Sequence, residues 1–309
     1  MFLSIVIPLF NEEESLRPLF TQIEKVCKQC CDSFEVVFVD DGSTDQSLDI
    51  LKELRQSHPD QIKIISFRKN YGKSAALSEG FQSAKGDIII TMDADLQDDP
   101  NEIPNLIAKI EEGYDLVSGW KKRRHDPISK TLPSKLFNFV TAKLTGIPLH
   151  DFNCGLKAYR NDVVRDIPVY GELHRYLPVL ANWQGYKVSE IPVKHHPRKF
   201  GKTKFGINRF FHGFFDLLTV LFITRYRKTP LYIFGGIGST FFLFGFLIEA
   251  YLTVLKLLGH FGITRRPLFF LGFLLIIVGI QFFSIGLLGD MISSHFSEKQ
   301  QYSIKEKLL

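Results

Sequence analysis

The sequence predicts an α/β fold: a mixed, mainly parallel sheet covered by helices on both faces, then an interfacial amphipathic helix and a C-terminal two-helix transmembrane hairpin. Three observations predict it. Short apolar runs alternate with segments of helical period up to Gly119. One of those runs, Asp87-Ile-Ile-Ile-Thr-Met-Asp-Ala-Asp-Leu-Gln-Asp-Asp-Pro100, stops abruptly at carboxylates. A buried strand reads this way when it delivers acidic groups to a ligand at the edge of a sheet. Finally, residues 231–255 and 268–288 hold one formally charged residue between them, Glu249, and each exceeds the roughly 20 apolar residues that span a hydrocarbon core.

Taken in order, residues 3–8 are β-rich and end at a proline, and residues 13–28 carry helical spacing at Leu16, Leu19, Phe20, Ile23, Val26 and Cys27. The first eight residues have no basic leader and run into Asn11-Glu-Glu-Glu14, so they read as a strand and not as a signal peptide. A second strand, 34–39, closes on Asp40-Asp-Gly-Ser-Thr-Asp45, whose residues suit a tight turn and the N-cap of a helix reaching Ser57. The pattern repeats as strand 62–67, helix 72–84, strand 87–92, helix 101–112 and strand 116–119. Single-helix connections imply right-handed crossovers and a parallel sheet, with ligands outside the carboxyl ends of its strands. The loops at those ends, 10–12, 40–43, 68–73 and 93–97, bring acids, glycines and cations to one rim.

Residues 120–133 are polar and basic without a period and predict a mobile loop. Helices follow at 136–144, 161–167 and 173–185, then a strand at 187–193 on the far side of the sheet and a second basic loop, His195 to Gly206. Residues 208–224 are rich in Phe and Leu with few charges, as in a helix lying in a membrane interface, with Arg225, Arg227 and Lys228 at the headgroup boundary. The expected organisation is a cytoplasmic domain over 1–206, a juxtamembrane amphipathic helix over 207–228, a transmembrane hairpin over 229–293 with spans near 231–257 and 267–291, and a cytoplasmic tail over 294–309. Two spans put both chain ends on one side of the cytoplasmic membrane, and the lack of an export signal assigns that side to the cytoplasm.

The 309 residues suffice for one sizeable core and a smaller part. A net charge of +5, with basic residues spread over 121–135, 194–209 and 225–228, fits anionic headgroups or phosphate ligands in a lipid bilayer, and no nucleic acid is expected. Cys27, Cys30 and Cys31 cluster in a helix and Cys154 stands apart, which reads as reduced thiols and not as a zinc site or a disulfide framework. His174, His195 and His196 read as structural or surface groups. Glu249, within a span, reads as facing a cavity or another subunit, or as protonated, and a homo-oligomer stays open.

Asp93-Ala-Asp-Leu-Gln97, placed after a buried strand and joined by a second pair at Asp40 and Asp41, forms a divalent-metal site. Mg2+ or Mn2+, held by one or two carboxylates and completed by diphosphate oxygens, is the expected cofactor. The chain has no phosphate loop of the Gly-x-x-x-x-Gly-Lys type and no Gly-x-Gly-x-x-Gly after its first strand, which argues against phosphate-loop kinases and dinucleotide-dependent oxidoreductases. The remaining natural use is a nucleotide sugar whose departing diphosphate the metal stabilises.

Four blocks carry a resemblance. Ser4-Ile-Val-Ile-Pro-Leu-Phe-Asn-Glu-Glu13, Val39-Asp-Asp-Gly-Ser-Thr-Asp45, Arg68-Lys-Asn-Tyr-Gly-Lys73 and Asp93-Ala-Asp-Leu-Gln-Asp-Asp-Pro100 resemble the signature blocks of family 2 glycosyltransferases, which have the Rossmann-like GT-A fold. The similarity is to the polyprenyl-phosphate glycosyltransferase branch that includes dolichyl-phosphate mannose synthase, over 3–206 by motif and over the hairpin by architecture. It implies that Pro8, Phe10, Glu12 and Asp41 line a nucleoside pocket with Asp40 nearby, and that Arg68, Lys73, Asp93 and Ala94 lie along the donor. Asp93, Asp95 and Gln97 would hold the metal, and Lys121, Lys135, Arg198 and Lys204 the acceptor phosphate. Asp93, Asp95, Arg198 and Lys204 are the implied catalytic set.

The chain departs from the branch in having Lys at 121 and 135 where Arg is common, Thr203 and Phe205 for Ser and Tyr, and Cys154 and Lys157 where Ser and Arg are frequent. Lysine neutralises a phosphate but does not grip it bidentately. The implied reaction is inverting transfer of a sugar from a UDP- or GDP-linked donor to a polyprenyl phosphate at the cytoplasmic membrane face. A lipid phosphate is already a nucleophilic anion at neutral pH, so cations to position it suffice without a general base. Another lipid acceptor such as diacylglycerol, or a silent scaffold or nucleotide-sugar sensor, are the alternatives, and the intact Asp93, Asp95 and Gln97 argue against silence.

Overall fold

The computed structural model describes residues 1–122, 128–167, 173–197, 229–259 and 267–297, with Val169, Gly171, Thr219 and Phe222. The chain falls into two compact units, Met1–Val220 and Leu221–Leu309. The first runs β1 (Phe2–Leu9), α1 (Leu16–Cys30), β2 (Ser33–Asp40), α2 (Ser47–Ser57), β3 (Ile62–Ser66), α3 (Lys73–Ser83), β4 (Ile88–Thr91), α4 (Ile103–Glu111), β5 (Leu116–Trp120), α5 (Ile128–Thr145), β6 (Lys157–Arg160), α6 (Asn161–Asp166), α7 (Leu177–Trp183) and β7 (Val188–Pro192). Short 3-10 turns cover Pro100–Glu102 and Leu173–Arg175.

Consecutive apolar residues place β1, β2 and β4 in the middle of the sheet, because only a strand covered on both faces buries every side chain in a row. Ile5, Val6 and Ile7 of β1, and Val36, Val37, Phe38 and Val39 of β2, are fully buried. Helix α1 buries Leu16, Leu19, Phe20, Ile23, Val26 and Cys27, the stripe its spacing predicts. The sheet order is β3-β2-β1-β4-β6-β5-β7. Neighbours pair in parallel except at β6, which runs antiparallel to both β4 and β5. The carboxyl ends of the other strands therefore share one rim with the amino end of β6, where Lys157 lies opposite Thr91.

Two elements differ from expectation. Strand β6 is absent from the sequence reading because its four residues, Lys157-Ala-Tyr-Arg160, put charges at both ends and leave only two apolar positions to signal a strand. The loop expected over 120–133 gives way to α5, which begins at Ile128. Pro133 and the polar content disguise those first turns, because a proline inside a helix removes a backbone hydrogen bond, crowds the carbonyl one turn back and so reads as a break.

The second unit contains α8 (Pro230–Leu257) and α9 (Pro267–Ser297). Both are long and apolar enough to cross a membrane by length and composition. Glycines bring their backbones together: a Cβ on Gly238 would lie 2.6 Å from the Gly279 carbonyl oxygen, and one on Gly245 2.6 Å from that of Gly272. Small residues at such a contact let two apolar helices gain dispersion energy where lipid offers no hydrophobic drive. The Leu231 N–H donates to Asp290 Oδ1 at 3.3 Å. Glu249 Oε1 occupies the space left beside Gly272 and is buried with no hydrogen-bond partner among the described residues. The amphipathic helix expected over 207–228 lies outside the described residues apart from Thr219 and Phe222, as do residues 298–309 of the expected tail.

Candidate active site

The rim is stitched from its loops before any ligand is considered. After β1, Asn11 takes a left-handed backbone, φ 53°, and its side chain accepts from Thr44 N–H at 2.8 Å, while its own N–H donates to Ser43 Oγ at 2.9 Å. Glu12 N–H donates to Ser47 Oγ at 3.0 Å, tying the same loop to the start of α2. Asp40 accepts from Ser43 N–H at 2.9 Å and from Ser66 Oγ at 2.8 Å. Asp41 accepts from Tyr71 N–H at 2.7 Å and from Gly72 N–H at 2.9 Å. Both carboxylates are buried and spend these acceptor sites on their own loops. They brace the side of the rim where the sequence reading sets a nucleoside pocket. Gly42, φ 74°, allows the approach, since a Cβ there would lie 2.5 Å from the Lys69 carbonyl carbon.

Strand β4 then delivers the acidic turn. Gln97 N–H donates to Asp95 Oδ1 at 3.2 Å, and Leu96 between them is left-handed, φ 60°, with its side chain buried. A non-glycine residue in that conformation costs roughly 1–2 kcal/mol. Burial of the leucine side chain holds the turn that keeps Asp95 and Gln97 together. Asp93 pairs with Lys73, the first residue of α3.

Three ammonium groups surround Asp93. Lys121 Nζ sits 2.9 Å from the buried Asp98 Oδ1, and Lys157, 4% exposed, donates to the Cys154 carbonyl. Burial alone would raise the Asp93 pKa, but Lys73, Lys121 and Lys157 outweigh it and hold the carboxyl well below the usual carboxylate range. Burial likewise works against the charge on Lys121, and Asp98 chiefly, then Cys154 and Asp93, raise its pKa above the ordinary lysine value. Burial lowers the Lys157 pKa and Lys73 adds to that effect, whereas burial pushes the Cys154 thiol up to about 12. The cluster holds Asp93 and Asp98 against three lysines and suits an incoming anion.

Residues 194–197, after β7, close over the acidic turn. His196 N–H donates to the Gln97 carbonyl at 2.8 Å, and His196 Nε2 lies 3.2 Å from Asp99 Oδ2. Asp98 and His195 pair as an isolated antiparallel bridge. The Lys194 N–H reaches Glu102 Oε1 at 3.3 Å. The second basic loop therefore leaves β7 directly beside Gln97.

The other predicted positions separate by location. Pro8, Phe10 and Glu12 are half-buried at the end of β1, Ala94 is buried in the turn, and Arg68 is exposed on the rim. Lys135 is exposed on α5, while Arg198 and Lys204 lie outside the described residues. Sequence reasoning did not assign roles to Asp98, Gly155 or Lys157. A lysine placed between a cysteine–glycine turn and a short apolar pair was the available signal, but only the reversed β6 carries it to the rim.

Among the described residues no three His, Cys, Asp or Glu side chains converge closely enough to hold a cation alone. The Asp93–Asp95 turn does supply hard oxygen donors, and a Cβ at Gly155 would lie 2.5 Å from Asp93 Oδ2, so the glycine reserves room for that carboxylate. Such a donor set fits a cation that takes one or two protein carboxylates and fills its shell with diphosphate oxygens and water.

The model for glycosyl transferase family 2 matches residues 4–168. Dodecaprenyl-phosphate galacturonate synthase of Rhizobium johnstonii is 35% identical over 295 residues, covering 94% of this chain and 87% of that protein. Undecaprenyl-phosphate 4-deoxy-4-formamido-L-arabinose transferase of Shewanella sediminis is 37% identical over 314 residues, covering 100% of this chain and 93% of that protein. Among solved structures, glucosyl-3-phosphoglycerate synthase from Mycobacterium tuberculosis, in complex with Mn2+, uridine diphosphate and phosphoglyceric acid, shares the fold with a TM-score of 0.54 at 19% identity over 72% of this chain and 78% of that one.

Proposed function

The chain belongs to glycosyl transferase family 2 and is a glycosyltransferase, and from that premise we propose that it transfers a sugar from a nucleoside-diphosphate sugar to a polyprenyl phosphate, with inversion, at the cytoplasmic face of a membrane crossed by α8 and α9. The observation that carries the proposal is the acidic turn of Asp93 and Asp95 set beside Lys73, Lys121 and Lys157 at the carboxyl end of β4. The named relatives, which act on polyprenyl phosphates, support the choice of acceptor.

In this proposal Asp95, with Asp93 and Gln97 beside it, holds Mg2+ or Mn2+. The bound cation supplies charge neutralisation for the departing diphosphate. Lys73 orients Asp93 and lies along the donor, and the loops braced by Asp40 and Asp41 shape the nucleoside side with Pro8, Phe10 and Glu12. Lys121, Lys135, Arg198 and Lys204 position the acceptor. An oxygen of the lipid phosphate forms a bond to the anomeric carbon as the bond from that carbon to the diphosphate breaks, and no proton is removed from the nucleophile. Cationic groups on the donor side and on the acceptor side then flank the reacting carbon, fixed before the reactants arrive.

The test incubates purified full-length protein with Mn2+, a panel of labelled UDP- and GDP-sugars and polyprenyl phosphate, followed by lipid extraction. One donor should label the lipid, and Asp95→Asn should lower the rate by roughly 100-fold or more with the unfolding temperature unchanged. No labelled lipid from any donor, in protein that still binds nucleotide, would overturn the proposal.

A further inference from the structure

The floor beneath Asp93 is a backbone turn in which three successive carbonyls are each held by a different donor. Lys157 Nζ donates to the Cys154 carbonyl, Thr91 Oγ1 donates to that of Gly155 at 2.8 Å, and Gly119 N–H donates to that of Leu156 at 2.9 Å. The turn is thereby fixed to β4 and β5 at once. It presents Gly155 to the underside of Asp93, where a Cβ would come within 2.5 Å of Oδ2 and 2.6 Å of Cγ. No side chain larger than hydrogen fits between that backbone and the carboxylate.

Lys157 is an expensive choice for this task. It is buried, opposite Thr91 and Ser118 in the sheet, and a buried ammonium costs far more to desolvate than a hydroxyl or amide that would reach the same carbonyl. Its length and charge matter because it reaches back to Cys154 while lying within electrostatic range of Asp93 and Lys73. Removing it would free the Cys154 carbonyl and leave the Gly155 turn held by two donors in place of three.

We propose that Lys157 is a positioning residue: it locks the Cys154–Gly155 turn against Asp93, so that Asp93 stays paired with Lys73 and holds its place beside Asp95 in the cation site. The proposal rests on the transferase reading and adds to it a residue that touches neither donor nor acceptor. Groups that orient a metal-binding carboxylate typically change affinity by roughly 10- to 100-fold when removed.

The experiment uses the full chain in lipid nanodiscs and compares wild type with Lys157→Met, Lys157→Arg and Gly155→Ala. Mn2+ affinity is measured by electron paramagnetic resonance in the presence of UDP and, separately, GDP. Nucleotide affinity without metal and the unfolding temperature are measured on the same samples. Lys157→Met and Gly155→Ala should weaken Mn2+ binding by roughly 10- to 100-fold, with metal-free nucleotide affinity unchanged, and Lys157→Arg should recover most of the loss because it restores a cationic donor.

Wild-type Mn2+ affinity in a folded Lys157→Met protein overturns the positioning role, as does a loss that merely follows a fall in unfolding temperature. Should Lys157→Met fail to fold, Gly155→Ala decides, and unchanged Mn2+ affinity there overturns the role. Wild-type protein that binds no Mn2+ with either nucleotide refutes the metal reading itself, an outcome distinct from failure of the variants alone.

Discussion

Lys73 and Asp93 form an ion pair that joins the first residue of α3 to the end of β4. The pair ties two segments of the rim together. In the proposed reaction Lys73 lies on the donor side, where negative charge develops on the leaving diphosphate. Lys73→Met should therefore lower kcat by roughly 100- to 1000-fold at saturating donor, as expected for loss of one preorganised electrostatic group. Steady-state kinetics with wild-type-like kcat would contradict that role.

The depressed Asp93 pKa sets a pH prediction. Because the folded value lies below the unfolded one, the stability Asp93 contributes is present above the unfolded carboxylate value and is lost only as pH falls through the still lower folded value. Asp93 thus stays ionised through the neutral range. The acid limb of the rate should come from the acceptor phosphate, whose second ionisation lies at about pH 6. Profiles of transfer and of Mn2+-dependent nucleotide-sugar binding should differ: transfer falls below that pH while binding stays level, because neither phosphate of the donor ionises there. A shared midpoint would place the titrating group in the metal site.

Far from the rim, Glu35 is buried between Ser4 Oγ at 2.6 Å, Lys63 Nζ at 2.6 Å and the Lys85 N–H at 2.7 Å. Burial raises its pKa, but Lys63, Ser4 and Lys85 together lower it below the ordinary value. Its contribution is again present above the unfolded carboxylate pKa and lost as pH falls through the folded one. Glu35→Ala should cost about 1–3 kcal/mol, because it strands the buried Ser4 hydroxyl while the partly exposed Lys63 can turn to solvent, and should leave kcat of the folded protein unchanged. Chemical unfolding monitored beside activity checks both halves of that statement.

At the helix contact of the second unit, a Cβ on Gly279 would lie 2.6 Å from Phe242 N and 2.7 Å from the Gly238 carbonyl oxygen. Gly279→Val should separate α8 from α9 and destabilise the pair by about 1–3 kcal/mol. Thermal unfolding in detergent micelles should show the loss, with Ala at the same position less damaging than Val. An unchanged unfolding temperature for both variants would argue that these helices meet elsewhere.

How much of this was legible in the sequence depends on which force shapes each part. The alternation from β1 to β4 follows from two-sided burial, which writes itself as uninterrupted Ile and Val, and the carboxylates that end β4 marked the rim directly. Strand β6 was hidden because an antiparallel strand of four residues leaves almost no periodic signal. The partners of Asp40, Asp41 and Lys157 were hidden for a different reason: a carboxylate in a turn looks the same whether it awaits a ligand or grips Tyr71 N–H, and nothing local in the chain says that Lys157 lies beneath Asp93. Residue types named the chemistry of the rim, while through-space pairing divided those residues between bracing and binding.

In the proposed reaction the sugar leaves its diphosphate for a lipid phosphate. Its most direct test places the full-length protein in vesicles holding equal amounts of polyprenyl phosphate and diacylglycerol, supplies Mn2+ and the labelled nucleotide sugar that supports transfer, and identifies the labelled lipid by mass spectrometry. Label is expected on polyprenyl phosphate through a phosphodiester, with nucleoside diphosphate released in equal amount. Label on diacylglycerol, or nucleoside diphosphate released without a polyprenyl product, would contradict it.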